Sequence, residues 1–413
     1  MTLSPPKRRV ADRLLALFGV RLALWLLTAS VVIPHLLTSP FTVTDHYDEH
    51  YFYAHDDAAR ITVVQYHELP ANNPYYCGGI PLAANPQDGS LAPDFWLRVF
   101  FGTGPGRRLV VLLFLVLGME GTFLLARKHA SSALAAAAGA IVFAVSGRFF
   151  FMLEFGWLNM FGFELLPWVV LGLEHGLRSW KWRILGGFAL GWMILAGGTY
   201  SAPYTILVVL ALTLYDVLAR LLRPATDRGD GIAWWRPLVS LFGLGIASFL
   251  FAAAKVLPML RIIAHHPRIT HGTMSNGPFD VLGDLLTSHA GKLDGIAAEG
   301  YIGLLVAVLA LGALLLGDKI AIRWMSMVCV FFALSMGDQG SGSLWTVVHS
   351  LPLYKQLRNP ERFTLIVAFF AALTLARTLT LLEDLPENVL HSLVARWQQY
   401  RGRAVSERIG PRL

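Results

Sequence analysis

Residues Thr44–Gln87 read TDHYDEHYFYAHDDAARITVVQYHELPANNPYYCGGIPLAANPQ and lie between two strongly apolar segments. The first half crowds five carboxylates (Asp45, Asp48, Glu49, Asp56, Asp57) with His46, His50, His55 and His67, and the second half is rich in turn residues and aromatics. So polar a stretch must face water, and its titratable groups are more than a connector needs. Whatever flanks it must then be the part of the chain that avoids water.

The flanks settle the fold class. Of 413 residues, 55% are hydrophobic and only 15% are charged, where a soluble domain carries about 25% charged residues. Mean hydropathy is +0.54. A hydrocarbon core of about 30 Å asks for about 20 apolar residues per helix. Ten segments meet or approach that length, near 13–38, 107–126, 131–148, 157–175, 183–199, 202–220, 237–258, 300–317, 320–336 and 363–382. The expected fold is an all-α polytopic membrane protein. Residues 1–382 form its spanning domain, with long connections at 39–106, 259–299 and 337–362, and 383–413 form a basic tail.

A net charge of +7 raises nucleic acid as a partner, but the basic residues gather beside the ends of apolar segments, which is a topology signal. With a cytoplasmic N-terminus, the inner connections carry Arg127 and Lys128; Arg178, Lys181 and Arg183; Arg220, Arg223, Arg228 and Arg236; and Lys319 with Arg323. The tail, with Arg396, Arg401, Arg403, Arg408 and Arg412, is also expected inside, against anionic membrane lipids. Lys7, Arg8 and Arg9 precede a first apolar run without a suitable small-residue cleavage site, so that run is expected to stay as an anchor. Thr44–Gln87 then faces outward. Cys77 and Cys329 fall in a loop and an apolar helix, which is not a disulfide framework.

Asp45 and Asp48 are three residues apart and share a face if the chain there is helical. A carboxylate at the membrane surface can act as general base toward an acceptor hydroxyl, or hold a divalent cation (Mg or Mn) through Asp45, Asp48 and Glu49. A plain solvated acidic loop is the bland alternative. An amphipathic helix is expected over about 53–66, with Asp56 and Arg60 as an i,i+4 pair on its surface. His46, His50 and His55 are close enough in sequence to ligate zinc, but no HExxH or comparable set appears. Tyr75 and Tyr76 offer stacking faces, and Asn72, Asn73, Asn85 and Gln87 offer neutral hydrogen-bonding groups of the kind that hold sugar hydroxyls.

Further along, Gly147–Met160 (GRFFFMLEFGWLNM) sets Arg148 and Glu154 among aromatics, either as an interfacial belt or as the border of a lipid-facing cavity. Gly197–Pro203 (GGTYSAP) reads as a tight turn or as a close backbone approach to a ligand. The 259–299 connection holds His265–Arg268 (HHPR) and scattered Asp, His and Lys. The run LPLYKQLRNPERF ending at Phe363 places Lys355, Arg358 and Arg362 on the outer side, against the charge rule, which suggests a task for them.

A first outer loop ending in NPYYCGGIPLAANPQ, paired with a late LYKQLRNPERF before a final helix, resembles the bacterial YfhO-type membrane proteins, relatives of the GT-C glycosyltransferases. The resemblance spans about Val10 to Leu382 and rests on the pattern NP-x-x-x-GG-x-P-x-x-x-NPQ. It implies a GT-C-like bundle of about ten helices in the bacterial cytoplasmic membrane with its active face toward the periplasm. It also implies transfer of a sugar from a polyprenyl-phosphate carrier to a lipid, saccharide or protein acceptor. On that reading Asp48, then Asp45, is the catalytic carboxylate. Arg358, Arg362, Lys355, Lys255 and Arg148 are candidates for the lipid phosphate, each of which could instead snorkel to headgroups. His55, Asp56, Arg60, Tyr75, Tyr76, Asn85 and Gln87 are candidates for the sugar pocket. A transporter or flippase of a lipid-linked saccharide, and a non-catalytic scaffold in envelope polysaccharide assembly, are the alternatives.

Overall fold

Apolar chain that must leave water satisfies its backbone internally, and the helix is the local way to do so. The computed structural model describes residues 18–30, 33–34, 37, 47–154, 156–222, 231–265, 275–287, 300–315, 317–357 and 359–384, and they are predominantly helical. Helix α1 (Phe18–Ser30) precedes α2 (Tyr47–Gln65), α3 (Phe95–Phe101), α4 (Thr103–Lys128), α5 (Ala133–Ala144) and α6 (Gly147–Glu154). A 3-10 segment, Leu158–Leu165, runs into α7 (Leu166–His175), followed by α8 (Trp180–Leu195), α9 (Ser201–Leu222) and α10 (Arg236–His265). Then come α11 (Pro278–Leu286), α12 (Leu304–Leu315), α13 (Lys319–Ser335), α14 (Leu344–His349) and α15 (Thr364–Glu383).

Among the described residues, four helices are long and apolar enough to cross a membrane: α4, α9, α10 and α15 with its leading 3-10 turn (Pro360–Phe363). The other expected spans coincide with shorter helical elements. Burial sorts the four. The apolar window of α15 is 78% buried and that of α4 67%, against 28% for α9 and 33% for α10. So α15 and α4 form the centre, and α9 and α10 offer most of their apolar surface to the surroundings. Helix α15 packs on α5, α12 and α13, while α8 lies between α7 and α10. The α7–α8 crossing is as close as backbone allows, since a Cβ on Gly172 would sit 2.4 Å from the Gly186 Cα.

The polar stretch is less of a loop than its composition suggests. Helix α2 begins at Tyr47, earlier than the expected start near residue 53, so Asp48 and Glu49 belong to its first turn. A two-residue antiparallel hairpin, β1 (Asn72–Asn73) with β2 (Ile80–Pro81), follows. Cys77 and Cys329 are free, exposed thiols. The basic segment from residue 385 onward, His266–Arg268 and residues 223–230 lie outside the described residues.

Candidate functional site

The site is built on the way α2 is held. Arg98 sits within the apolar run FWLRVFF, and a cation there must be paired or pay a large desolvation penalty. It donates to Asp56 Oδ1 at 2.7 Å and to Asp94 Oδ2 at 2.9 Å. Arg107, in the first turns of α4, takes the other Asp56 oxygen at 2.5 Å and donates to the Gly156 carbonyl at 3.0 Å. Thr103 donates to Asp57 at 2.5 Å, and Trp192 donates its indole N–H to Asp94 at 2.7 Å. Asp56 is therefore not the surface partner of Arg60, nor a sugar ligand in the open. It is the bolt that fixes α2 to α3 and α4, and its two arginines lie 42 and 51 residues away.

Held in this way, the first turns of α2 form one wall of a cavity of about 270 Å³. Asp48, Tyr51 and Phe52 come from α2, and Gln87 from the loop before α3. Trp157, Asn159 and Met160 come from the start of the 3-10 segment, Tyr200 from the turn before α9, and Arg362 from the turn before α15. One indole joins the two charges. Trp157 donates its N–H to Asp48 Oδ2 at 3.0 Å, and its ring lies under the Arg362 guanidinium at 5.0 Å. The Tyr200 ring lies 4.2 Å from the same guanidinium. Such faces attract a cation through the ring quadrupole.

Local packing explains why these groups converge. Tyr204 stacks on Phe363 at 3.8 Å and donates to the Asn359 carbonyl at 2.9 Å, while Tyr354 donates to the Pro203 carbonyl at 2.9 Å. The NPERF turn is thereby clamped to the start of α9. Gln87 is set by Gly197, whose φ of +82° suits glycine and whose missing side chain leaves room for the Gln87 carbonyl; a Cβ would lie 2.3 Å from that oxygen. Asn85 accepts from the Gln87 N–H at 3.0 Å and hydrogen-bonds Tyr51.

Beside this cavity, sharing Phe52, Gln87 and Asn159 with it, is a recess of about 20 Å³ that reaches His55, Asp56, Asp88 and Arg107. That is room for about one water. His55 is buried, faces Asn73 across 3.3 Å and packs on the Tyr51 and Tyr76 rings, and its Nε2 has no hydrogen-bond partner among the described residues. Burial pushes the His55 pKa down, against the pull of Asp88 and Asp56. Burial pushes the Asp88 carboxyl up, with Lys255 and Ser90 opposing.

The structure thus brings Asp48, Gln87 and Arg362 together, and places the other described candidates outside that cavity. Asp45 and Arg358 lie outside the described residues, as does the Glu154 side chain. Glu49 is buried against Gly156 and near Arg107, away from the cavity that Asp48 enters. Lys255 is no phosphate ligand in this arrangement: its buried ammonium donates to the carbonyls of Asp88 and Leu195 and ties the loop to α8 and α10. Arg148 is fully buried behind Arg362 and Glu361 rather than bordering a lipid-facing cavity. Lys355 and Tyr75 are exposed, and neither they nor Arg60 line the cavity. Tyr76 and Asn85 support Tyr51 and His55 from behind. Among the described residues no three His, Cys, Asp or Glu side chains gather as a metal site, and the described cavity offers a divalent cation one carboxylate, Asp48. Trp157, Asn159 and Tyr200 carry no individual signal in the sequence, although the segments GRFFFMLEFGWLNM and GGTYSAP contain them. No family model, no curated protein and no solved structure matches this chain.

Proposed function

We propose that the chain is a GT-C-type glycosyltransferase of the YfhO kind, with about ten spans, both termini cytoplasmic and the Asp48 cavity facing the periplasm. The observation that carries this reading is the Asp48–Trp157–Arg362 arrangement: a carboxylate and a guanidinium line one small cavity and are joined through a single indole. In the reaction, an acceptor hydroxyl attacks the anomeric carbon of a polyprenyl-phosphate-linked sugar. Asp48 takes the hydroxyl proton as the new C–O bond forms. The bond from the anomeric carbon to the phosphate oxygen breaks, and Arg362 faces the charge left on the phosphate. Gln87 and Asn159 are the neutral groups placed for sugar hydroxyls, and Tyr200 and Trp157 the faces for a sugar ring.

The test is transfer from a polyprenyl-phosphate-linked hexose by the purified, reconstituted chain. Asp48→Asn should bind the polyprenyl phosphate yet lose transfer at least about 100-fold, and Arg362→Gln should weaken that binding at least about tenfold. Wild-type transfer in both variants would remove the mechanism.

A second reading, translocation of a lipid-linked saccharide, is favoured by one observation. Glu164 is buried within the 3-10 segment that interrupts the path into α7, and its Oε2 has no hydrogen-bond partner among the described residues. An ionisable group at a broken helix is a feature of transport paths. Movement of a labelled lipid-linked saccharide across vesicles, abolished in Glu164→Gln and unaffected in Asp48→Asn, would select this reading.

A further inference from the structure

We propose that the recess beside the Asp48 cavity is a subsite for one hydroxyl group of the sugar, read by His55 and Asn159. This rests on the reading that the cavity holds the sugar of a polyprenyl-phosphate-linked saccharide, and it adds a selector with residues of its own.

Size limits what can enter. The recess measures about 20 Å³, against about 270 Å³ for the cavity, and a single water needs about 10–15 Å³. A group with one oxygen fits, whereas a phosphate or a whole sugar ring does not. Phe52, Gln87 and Asn159 line both spaces, so a group in the recess can belong to a molecule seated in the cavity.

Polarity narrows the choice further. His55 Nε2 and Asn159 Oδ1 are buried atoms on residues that line the recess, and neither has a hydrogen-bond partner among the described residues. Both residues are more than nine-tenths buried, at 4% and 6% exposure. The neighbouring bonds decide which atom gives a proton. The Tyr75 N–H occupies Asn73 Oδ1 at 2.9 Å, so the Asn73 amide turns its own N–H to His55 Nδ1 at 3.3 Å. That ring nitrogen therefore accepts. Burial favours the neutral ring, and a neutral imidazole then carries its one proton on Nε2. Asn73 does not line the recess, so the Nδ1 edge is taken outside it and the Nε2 edge is the one left to face it.

The recess thus offers one donor, His55 Nε2–H, and one acceptor, Asn159 Oδ1. A hydroxyl meets both, since its oxygen accepts while its proton is donated. An alkyl group in the same space would leave both atoms unsatisfied, and an anion would satisfy only the first. The ion pairs of Asp56 with Arg98 and Arg107, and of Asp94 with Arg98, hold the surrounding wall in place. A sugar that lacks the matching hydroxyl, or carries it in the other configuration, is disfavoured here, which makes the recess a filter among hexoses.

The experiment measures binding, separately from transfer, by the full chain in nanodiscs. The probes are polyprenyl-phosphate-linked glucose, bare polyprenyl phosphate, and analogues of the glucose lipid that each lack one hydroxyl. At least one analogue should bind at least about tenfold more weakly than the parent. In His55→Phe, which keeps a ring against Tyr51 and Tyr76, that difference should vanish because the parent falls to the level of the analogue. If His55→Phe does not fold, Asn159→Leu should erase the same difference. Analogues that all bind as the parent does, or a preference that survives in the variant, would overturn the recess assignment and leave the cavity reading standing. Glucose lipid that binds no better than bare polyprenyl phosphate would overturn both. A chain that discriminates in this way but transfers nothing would keep the subsite and remove the transferase.

Discussion

Asp48 and Asp56 occupy the same helix, a little over two turns apart, and their surroundings could hardly differ more. Asp48, in the first turn, is exposed, and Trp157 donates one indole N–H to it. Asp56 is buried, and each of its oxygens is taken by a separate buried arginine. Chemically identical side chains are thus divided by their partners into an available carboxylate and a structural one. The second makes the first usable. A carboxylate can be left open to a cavity at fixed geometry only if its backbone is held by something else, and the Arg98–Asp56–Arg107 cluster does the holding.

The largest effect should come from breaking that cluster. Asp56→Ala leaves two buried guanidinium groups without their shared partner and should cost about 3–5 kcal/mol. Chemical or thermal unfolding in detergent measures it, and a mild loss would mean that α2 is held elsewhere. Next, Asp48→Asn should raise the barrier to transfer by about 2.7 kcal/mol, the equivalent of a 100-fold slower reaction. Its melting temperature should stay at the wild-type value. A large stability loss in this variant would erase the contrast between the two aspartates. Gly197→Ala forces a non-glycine residue to φ +82° and a methyl against the Gln87 carbonyl, which should cost about 1–3 kcal/mol. Transfer should fall with it, and full activity would show that Gln87 is not held by this turn.

The smallest effect concerns pH. Because burial keeps the His55 pKa below its unfolded value, the unfolded chain takes up a proton that the folded one resists. Stability should therefore begin to fall as pH drops through about 6.5 and continue to fall down to the folded pKa. Asp88, with its raised pKa, contributes the opposite slope in its own range. Hydrogen exchange of the hairpin segment at pH 7.5 and 5.5 reads this out. His55→Gln should flatten the response, and an unchanged response would assign it to another group.

The helical class could be read from hydrophobic length, because a run of about 20 apolar residues has few alternatives to a helix, and four of the ten expected spans are helices long and apolar enough to cross a membrane among the described residues. The ends of the long polar stretch were harder. Tyr47–Tyr53 is aromatic and acidic rather than periodic, so the helical pattern becomes visible only after α2 has begun. Asp48 stands out in the acidic half of the polar stretch, Gln87 in its turn-rich half and Arg362 as a cation against the charge rule, and the three share a cavity. Asp56 pointed to Arg60 because sequence shows only near neighbours, whereas its partners lie in α3 and α4. A signal for them did exist: an arginine inside FWLRVFF is too costly to bury alone. Lys255 could have been weighed the same way, since a lysine among AAAKVLPML must find acceptors, and it finds backbone carbonyls. Trp157 and Tyr200 left no such trace, because one aromatic among many carries no mark of what it will face.

The clasp between the NPERF turn and the head of α9 also sets a timetable. Trp157, Tyr200 and Asp48 are all synthesised long before Arg362. A nascent chain that has not reached Pro360 can own three walls of the cavity and still lack its cation, so competence would arrive as a final, late event of biogenesis. Polyprenyl-phosphate binding by chains arrested before Pro360 and after Phe363 would show whether the NPERF turn is what completes the cavity.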